Sequence, residues 1–195
     1  VFCRLVDQAL FYLVSWARKV HFFKELSVDD QMKLLECCWS ELLLLDVIYK
    51  QMGCTPSRDV VMLTDHRISV EMIEQIGIPT TSIDQFFELI RKLHSLQLDI
   101  NEYSCLKFIK MVFLDIPGLS NQEKVEQSRG EVSAALLDYC NACNANNDKV
   151  GQLLLLLSEV KEISVALENY LYDQVKLGNT GESNLLIEIL HSNRS

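Results

Sequence analysis

Cysteine and histidine carry most of the reactive potential in this sequence. Seven cysteines stand at positions 3, 37, 38, 54, 105, 140 and 143. Cys140-x-x-Cys143 has the spacing of a redox pair or of half a zinc site, but the first needs a βαβ setting and the second another ligand pair. Neither accompanies it, and both cysteines fall near the end of a helical stretch, where ordinary packing is the simpler reading. Cys37-Cys38 lies in an apolar helical stretch and reads as two small hydrophobes on a buried helix. An odd total suits free thiols in a reducing compartment better than a closed disulfide framework. The four histidines, at 21, 66, 94 and 191, show no H-E-x-x-H spacing. The sequence also lacks a G-x-S-x-G elbow, a P-loop and a G-x-G-x-x-G turn. With no nucleophile set beside a base, the chain is expected not to be an enzyme and to hold no metal or cofactor.

Charge narrows the partners. Eighteen basic residues against 27 acidic ones leave a net charge of −9, which argues against a nucleic-acid-binding face, since neutralising phosphates needs a basic stripe. Arg18-Lys19 is the basic pair of the first helix. Lys19 reads as a solvated charge, whereas Arg18 sits just past Trp16-Ala17, near a helix end and beside the apolar start of the next helix. The longest pure leucine runs, Leu42 to Leu45 and Leu153 to Leu157, fall far short of the roughly 20 residues a membrane span needs. No membrane association is expected. A start at Val1, with Arg4 and Asp7 inside a helical pattern, reads as the interior of a longer protein and not as a leader peptide.

Seven glycines and three prolines in 195 residues leave room for few turns, so long helices must position these groups. Apolar residues at Phe2, Leu5, Val6, Ala9, Leu13, Trp16, Ala17 and Val20 make one amphipathic helix of the first 23 residues. Ser27 with Asp30 reads as a capping box opening a helix that runs to about Gln51 and stops at Gly53. Being apolar all round at Leu42 to Leu45, this helix should be sandwiched between layers. Thr55-Pro56-Ser57 breaks the pattern, and Val60 to Leu63 and Arg67 to Ser69, joined through Thr64-Asp65-His66, form the one small hairpin. A short helix ends at Gly77, and Ser82 is expected to cap the next. Asp99 with Glu102 starts another, closed by Pro117-Gly118, and Ser120 with Glu123 starts one that ends at Asn144 to Asp148. A long helix from Lys149 to about Leu177 follows. Gly178 to Glu182 reads as a flexible link, and Asn184 to Leu190 as a two-turn helix, too short to persist alone in water. That tail must dock on something, so its position can be conditional.

Trp16-Ala17-Arg18, Phe23, Leu26, Asp30-Gln31 and Leu34-Leu35 stand at the spacing of the nuclear-receptor ligand-binding-domain signature, and the tail Leu185 to Leu190 resembles that family's C-terminal activation helix. Asp46-x-Ile48-Tyr49, Cys105 to Phe108, Ala135 to Tyr139, Tyr170-Leu171-Tyr172 and Asn184 to Glu188 resemble the subfamily of fushi tarazu factor, steroidogenic factor and liver receptor homologue. The resemblance implies an all-α, three-layer helical sandwich with one small β-hairpin. It would form a single ligand-binding domain over residues 1–195, with residues 184–191 as the activation helix. The family's first helix would precede Val1 and is absent from the chain.

The same resemblance implies a transactivation domain of a nuclear, monomeric transcription factor that meets DNA only through a separate domain. Its partners would be LxxLL-motif coactivators and corepressors. They would dock in a groove built from Val14, Arg18, Phe23, Val28, Gln31, Met32, Leu35 and Glu36 and closed by Leu185, Leu186, Glu188 and Ile189. Arg18 would face the partner helix's C-terminal carbonyls and Glu188 its N-terminal amides, each matched in sign to the dipole. In vertebrate members a phospholipid head group is held by a glycine amide, a tyrosine and a lysine, and the matching positions are Gly77, Tyr170 and Gln174. Gln174 departs from that pattern because it carries no charge, and Lys176 lies nearby. Lys50 likewise stands where vertebrate members have arginine. Three readings of the cavity follow: a phospholipid held more weakly, another lipid, or filling by the chain's own side chains. The alternative function is a helical interaction scaffold with a self-filled pocket and no ligand switch.

Overall fold

A computed structural model describes residues 1–54, 57–143, 148–181 and 184–192. In chain order the elements are α1 (Phe2–Ala17), α2 (His21–Lys24), α3 (Val28–Met52), β1 (Val60–Leu63), β2 (His66–Ser69), α4 (Val70–Gln75), α5 (Thr80–Ser95), α6 (Ile100–Val112), α7 (Gln122–Cys143), α8 (Lys149–Lys176) and α9 (Asn184–Ser192). The first amphipathic stretch is therefore two helices and not one. α1 ends at Ala17, and Val20 takes an extended conformation before the single turn of α2. β1 and β2 pair antiparallel, Val60 opposite Ser69 and Leu63 opposite His66.

The layering follows from α3. Leu42, Leu43, Leu44 and Leu45 are all buried, which an α-helix achieves only when it is covered on every side. α3 touches α1, α5, α6, α8, α9 and β1. This is a helical sandwich with the two-stranded sheet at one edge. Its middle carries charge as well as hydrocarbon. Lys107 of α6 is buried and pairs with Asp46 of α3 at 2.6 Å. The buried Glu41 pairs with Lys110 and, at 3.2 Å, with Lys161. Lys149 of α8 meets the fully buried Glu102 of α6 at 2.6 Å. Breaking the Lys149–Glu102 pair, buried on both sides, by removing Lys149 costs about 3–5 kcal/mol, because a charge is stranded.

Several expected helix starts are corrected. Ser27 does cap α3, accepting from the Asp30 N–H at 3.1 Å, but Asp30 does not return the bond. Its buried carboxylate instead accepts the N–H groups of Ser120 at 2.9 Å and Asn121 at 3.1 Å. Ser120 is thus a donor to α3 and does not cap α7. That role falls to Asn121, whose side chain accepts from the Lys124 N–H at 3.1 Å. Ser82 lies buried inside α5, which Pro79 starts without a side-chain cap, since proline's fixed φ suits an entry into a helix. Asp99 and Glu102 form the full reciprocal capping box. Thr55-Pro56, Asn144 to Asn147 and Glu182 of the expected breaks lie outside the described residues, and Thr180 of the expected link is buried.

Candidate functional site

The elements around Arg18 fix one another by directional bonds. Arg18 is the C-terminal cap of α1, its N–H donating to the Val14 carbonyl at 3.0 Å while its side chain stays exposed. Beyond it, the α2–α3 turn is pinned by Gln31, whose amide nitrogen donates to the carbonyls of Phe23 at 2.8 Å and Leu26 at 3.1 Å. The first turn of α3 is tied to the α6–α7 connection by Asp30 and by Lys33, whose ammonium donates to the Gly118 carbonyl at 2.6 Å. Burial alone would push the Asp30 carboxyl up, but the amides of Ser120 and Asn121 outweigh it and hold the group below the usual carboxylate range.

On this fixed frame two large apolar side chains face outward. Val28 is 69% exposed and Met32 55% exposed, and at i, i+4 they lie on one face of α3. Phe23 and Leu35 are buried beneath, Val14 and Glu36 are half-buried, and Gln31 is spent on the turn. α3 thus offers an exposed apolar strip at Val28 and Met32, and Arg18 stands as an exposed cation at the C-terminal end of α1. Sequence reasoning named these residues together. It missed Asp30 and Lys33 as anchors, because their partners lie some 85 to 91 positions away.

The tail helix is docked. Leu186, Ile189 and Leu190 are buried, Leu185 is half-buried, and α9 packs on α1, α3 and α8. Leu186 and Ile189 therefore face the body, while Glu188 between them is exposed. The Leu186 N–H donates to the Asp7 carboxylate of α1 at 2.8 Å.

A separate cavity of about 90 Å³ lies between α1, α3, the hairpin, α5 and α8, lined by Phe2, Val6, Leu44, Ile68, Phe86 and Leu167 among others. It is walled almost wholly by hydrocarbon and is small beside the roughly 300–1,000 Å³ of sites that enclose drug-sized ligands. Gly77, Tyr170 and Gln174 are not among its lining residues. Gly77 is exposed in the turn after α4, with φ of 97°. The Tyr170 ring sits edge-on to Phe2 with centroids 5.7 Å apart. Gln174 lies one turn further along α8, where its side-chain oxygen accepts from the Asn179 side chain at 3.1 Å. Lys176 stands over the Tyr172 ring at 4.3 Å, about 200° around the helix from Gln174 at 100° per residue.

The cysteines divide by environment. Cys140 is buried and donates to Glu102 at 3.4 Å, and burial with that carboxylate pushes its thiol up to about 11. Cys143 is exposed, so the two do not converge on one centre. Cys37 is exposed as well, which corrects the reading of Cys37-Cys38 as a buried pair; only Cys38 is inside. All seven thiols are free. Among the described residues no group of three metal-binding side chains stands together, and no helix is long and apolar enough to cross a membrane.

Comparison with known proteins bears on the same residues. A family model described as the ligand-binding domain of nuclear hormone receptor matches residues 2–172. The chain is 43% identical over 99% of its length to nuclear receptor subfamily 5 group A member 2 of Mus musculus, covering 35% of that protein. It is 40% identical to steroidogenic factor 1 of Notamacropus eugenii, covering 99% of this chain and 42% of the relative. The crystal structure of the ligand binding domain of Fushi tarazu factor 1 of Drosophila melanogaster superposes with a TM-score of 0.85 at 36% identity, over 98% of this chain and 79% of that one. The chain thus spans well under half the length of these full-length relatives. The matched family is one of receptors, in keeping with the expectation that the chain is not an enzyme.

Proposed function

This chain belongs to the nuclear hormone receptor ligand-binding domains, and from that premise we propose that it regulates transcription by recruiting LxxLL-motif coregulators through the α1–α3 groove. The observation that carries this reading is the docked tail helix. With Leu186, Ile189 and Leu190 turned inward, Glu188 is left exposed, as is Arg18, while Val28 and Met32 present an apolar strip on α3. An amphipathic helix laid on such a strip buries its leucines, and its unpaired terminal carbonyls and amides find a cation and a carboxylate of matching sign. Residues 1–195 act in this reading as one ligand-binding domain, with residues 184–191 as the activation helix. The parent protein would be a nuclear, monomeric factor whose DNA-reading module lies outside this chain.

The cavity supports the self-filled reading over a bound phospholipid. Its volume of about 90 Å³ is small beside the roughly 300–1,000 Å³ of sites that enclose drug-sized ligands, and the uncharged Gln174 offers a phosphate no counter-charge. Recruitment would then depend on the tail helix itself and need no ligand.

A fluorescently labelled LxxLL peptide titrated into residues 1–195 tests the proposal. Binding is expected, and deletion of residues 185–190 is expected to abolish it. Peptide affinity that survives the deletion would leave the helical scaffold without a switch as the function.

A further inference from the structure

We propose that Asp7 is the positioning residue of the tail helix, fastening the first turn of α9 to α1 and so holding Glu188 in its docked, exposed place; this rests on the coactivator reading above. Between Asn184 and Leu190 the side chains Leu185, Leu186, Ile187, Ile189 and Leu190 are all apolar. A rotation by one residue, some 100° around the axis, would bring Glu188 or His191 into the buried set now made by Leu186, Ile189 and Leu190, so the side-chain pattern selects the inward face. Apolar contact is non-directional, so it turns this face inward without pinning where the helix end sits on α1.

The Asp7 bond is directional. Leu186 is the third residue of α9, and so carries one of the first four N–H groups that a helix cannot satisfy internally. The α9 sequence brings no acidic residue to its own first turn. Asp7, half-buried on α1, supplies the carboxylate from outside at 2.8 Å. It sits at the positive end of the α9 dipole, where an anion is favoured. The bond fastens the N-terminal turn of α9 to α1 in the observed seating, where Leu186 is buried and Glu188 is exposed. Asp7 itself needs no contact with the partner.

The test uses residues 1–195 with Asp7→Ala and Asp7→Asn, read out by amide hydrogen exchange over residues 185–190 without peptide, and separately by LxxLL-peptide titration. Charge-assisted hydrogen bonds contribute about 1.5–3 kcal/mol, so Asp7→Ala should lower protection of residues 185–190 by roughly ten- to a hundredfold and weaken the peptide by a similar factor. Protection elsewhere should hold. Asp7→Asn keeps an acceptor oxygen without the charge and should recover part of both effects. If Asp7→Ala melts the whole domain, the near-isosteric Asp7→Asn carries the same comparison. Protection of residues 185–190 equal to the parent in both variants would overturn the proposal, even with peptide binding intact. Lost protection with unchanged peptide affinity would keep the Asp7 role and overturn the coactivator reading.

Discussion

The Lys107 ammonium nitrogen stands 3.7 Å from the centroid of the Trp16 ring, two residues before Arg18. Asp46 holds the other side of the same cation at 2.6 Å, and the Tyr103 hydroxyl donates to that carboxylate. Burial pulls the Lys107 ammonium below the ordinary lysine range, and Asp46 opposes the shift. One buried cation thus ties α6 to α3 and to the end of α1 that presents Arg18.

Lys107→Met keeps most of the stem and removes the charge. The Asp46 side chain is 39% exposed and can hydrate, so the loss is mainly the ring contact and the ion pair, about 2 kcal/mol. Urea denaturation should show that decrease. An unchanged midpoint would mean the cation contributes nothing net.

Arg18→Ala and Glu188→Ala should each weaken LxxLL-peptide binding by roughly ten- to a hundredfold, the effect of one charge-assisted hydrogen bond. Both side chains are exposed, so melting temperatures should stay within a degree or two of the parent. Glu188→Lys puts a cation at the positive end of the partner helix and should be worse than alanine. Near-equal affinities for all three would remove the clamp and leave the apolar strip of Val28 and Met32 to account for recruitment.

Native mass spectrometry of protein purified without added lipid should give the mass of the bare chain, as the self-filled reading of the cavity of about 90 Å³ expects. An excess of several hundred daltons per chain (roughly the mass of a lipid occupying a site larger than this cavity) would restore the phospholipid reading.

Asp30 sets an acid limb. Its carboxyl is held below the usual range in the folded state, so the unfolded chain binds the proton more tightly and takes it up first. The stabilisation is complete above about pH 5 and is lost as pH falls through the folded value. Asp30→Asn should lose about 2 kcal/mol near neutrality by weakening the bonds from Ser120 and Asn121. It should also flatten the fall in urea midpoint between about pH 5 and about pH 3. A parallel pH profile for variant and parent would show that another carboxylate governs the limb.

What was legible in the sequence depended on how far away each partner lies. The Asp99 and Glu102 box closes within four residues, and both halves formed. Ser27 was read correctly for the same reason, whereas the Asp30 side chain was misassigned because its partners are 90 and 91 residues along the chain. Val28 and Met32 could be recognised as a surface strip once the start of α3 was known, since i, i+4 spacing settles which side chains share a face. Asp7 could not. Its partner lies 179 positions away, and nothing local separates it from a solvated charge. The size of the cavity was equally hidden, being a sum over side chains from seven elements.

The Lys107 contact also makes the domain its own optical reporter. The chain has two tryptophans. Trp39 is wholly buried in α3 and should emit at short wavelength whatever happens at the surface. Trp16 is half-buried under an ammonium group, and the colour and intensity of indole emission respond to a nearby cation and to the water around the ring. Light from Trp16 therefore reports the state of the α1 end with no dye attached, against a steady background from Trp39. A change in colour on adding an unlabelled peptide that lacks tryptophan would time the docking event itself.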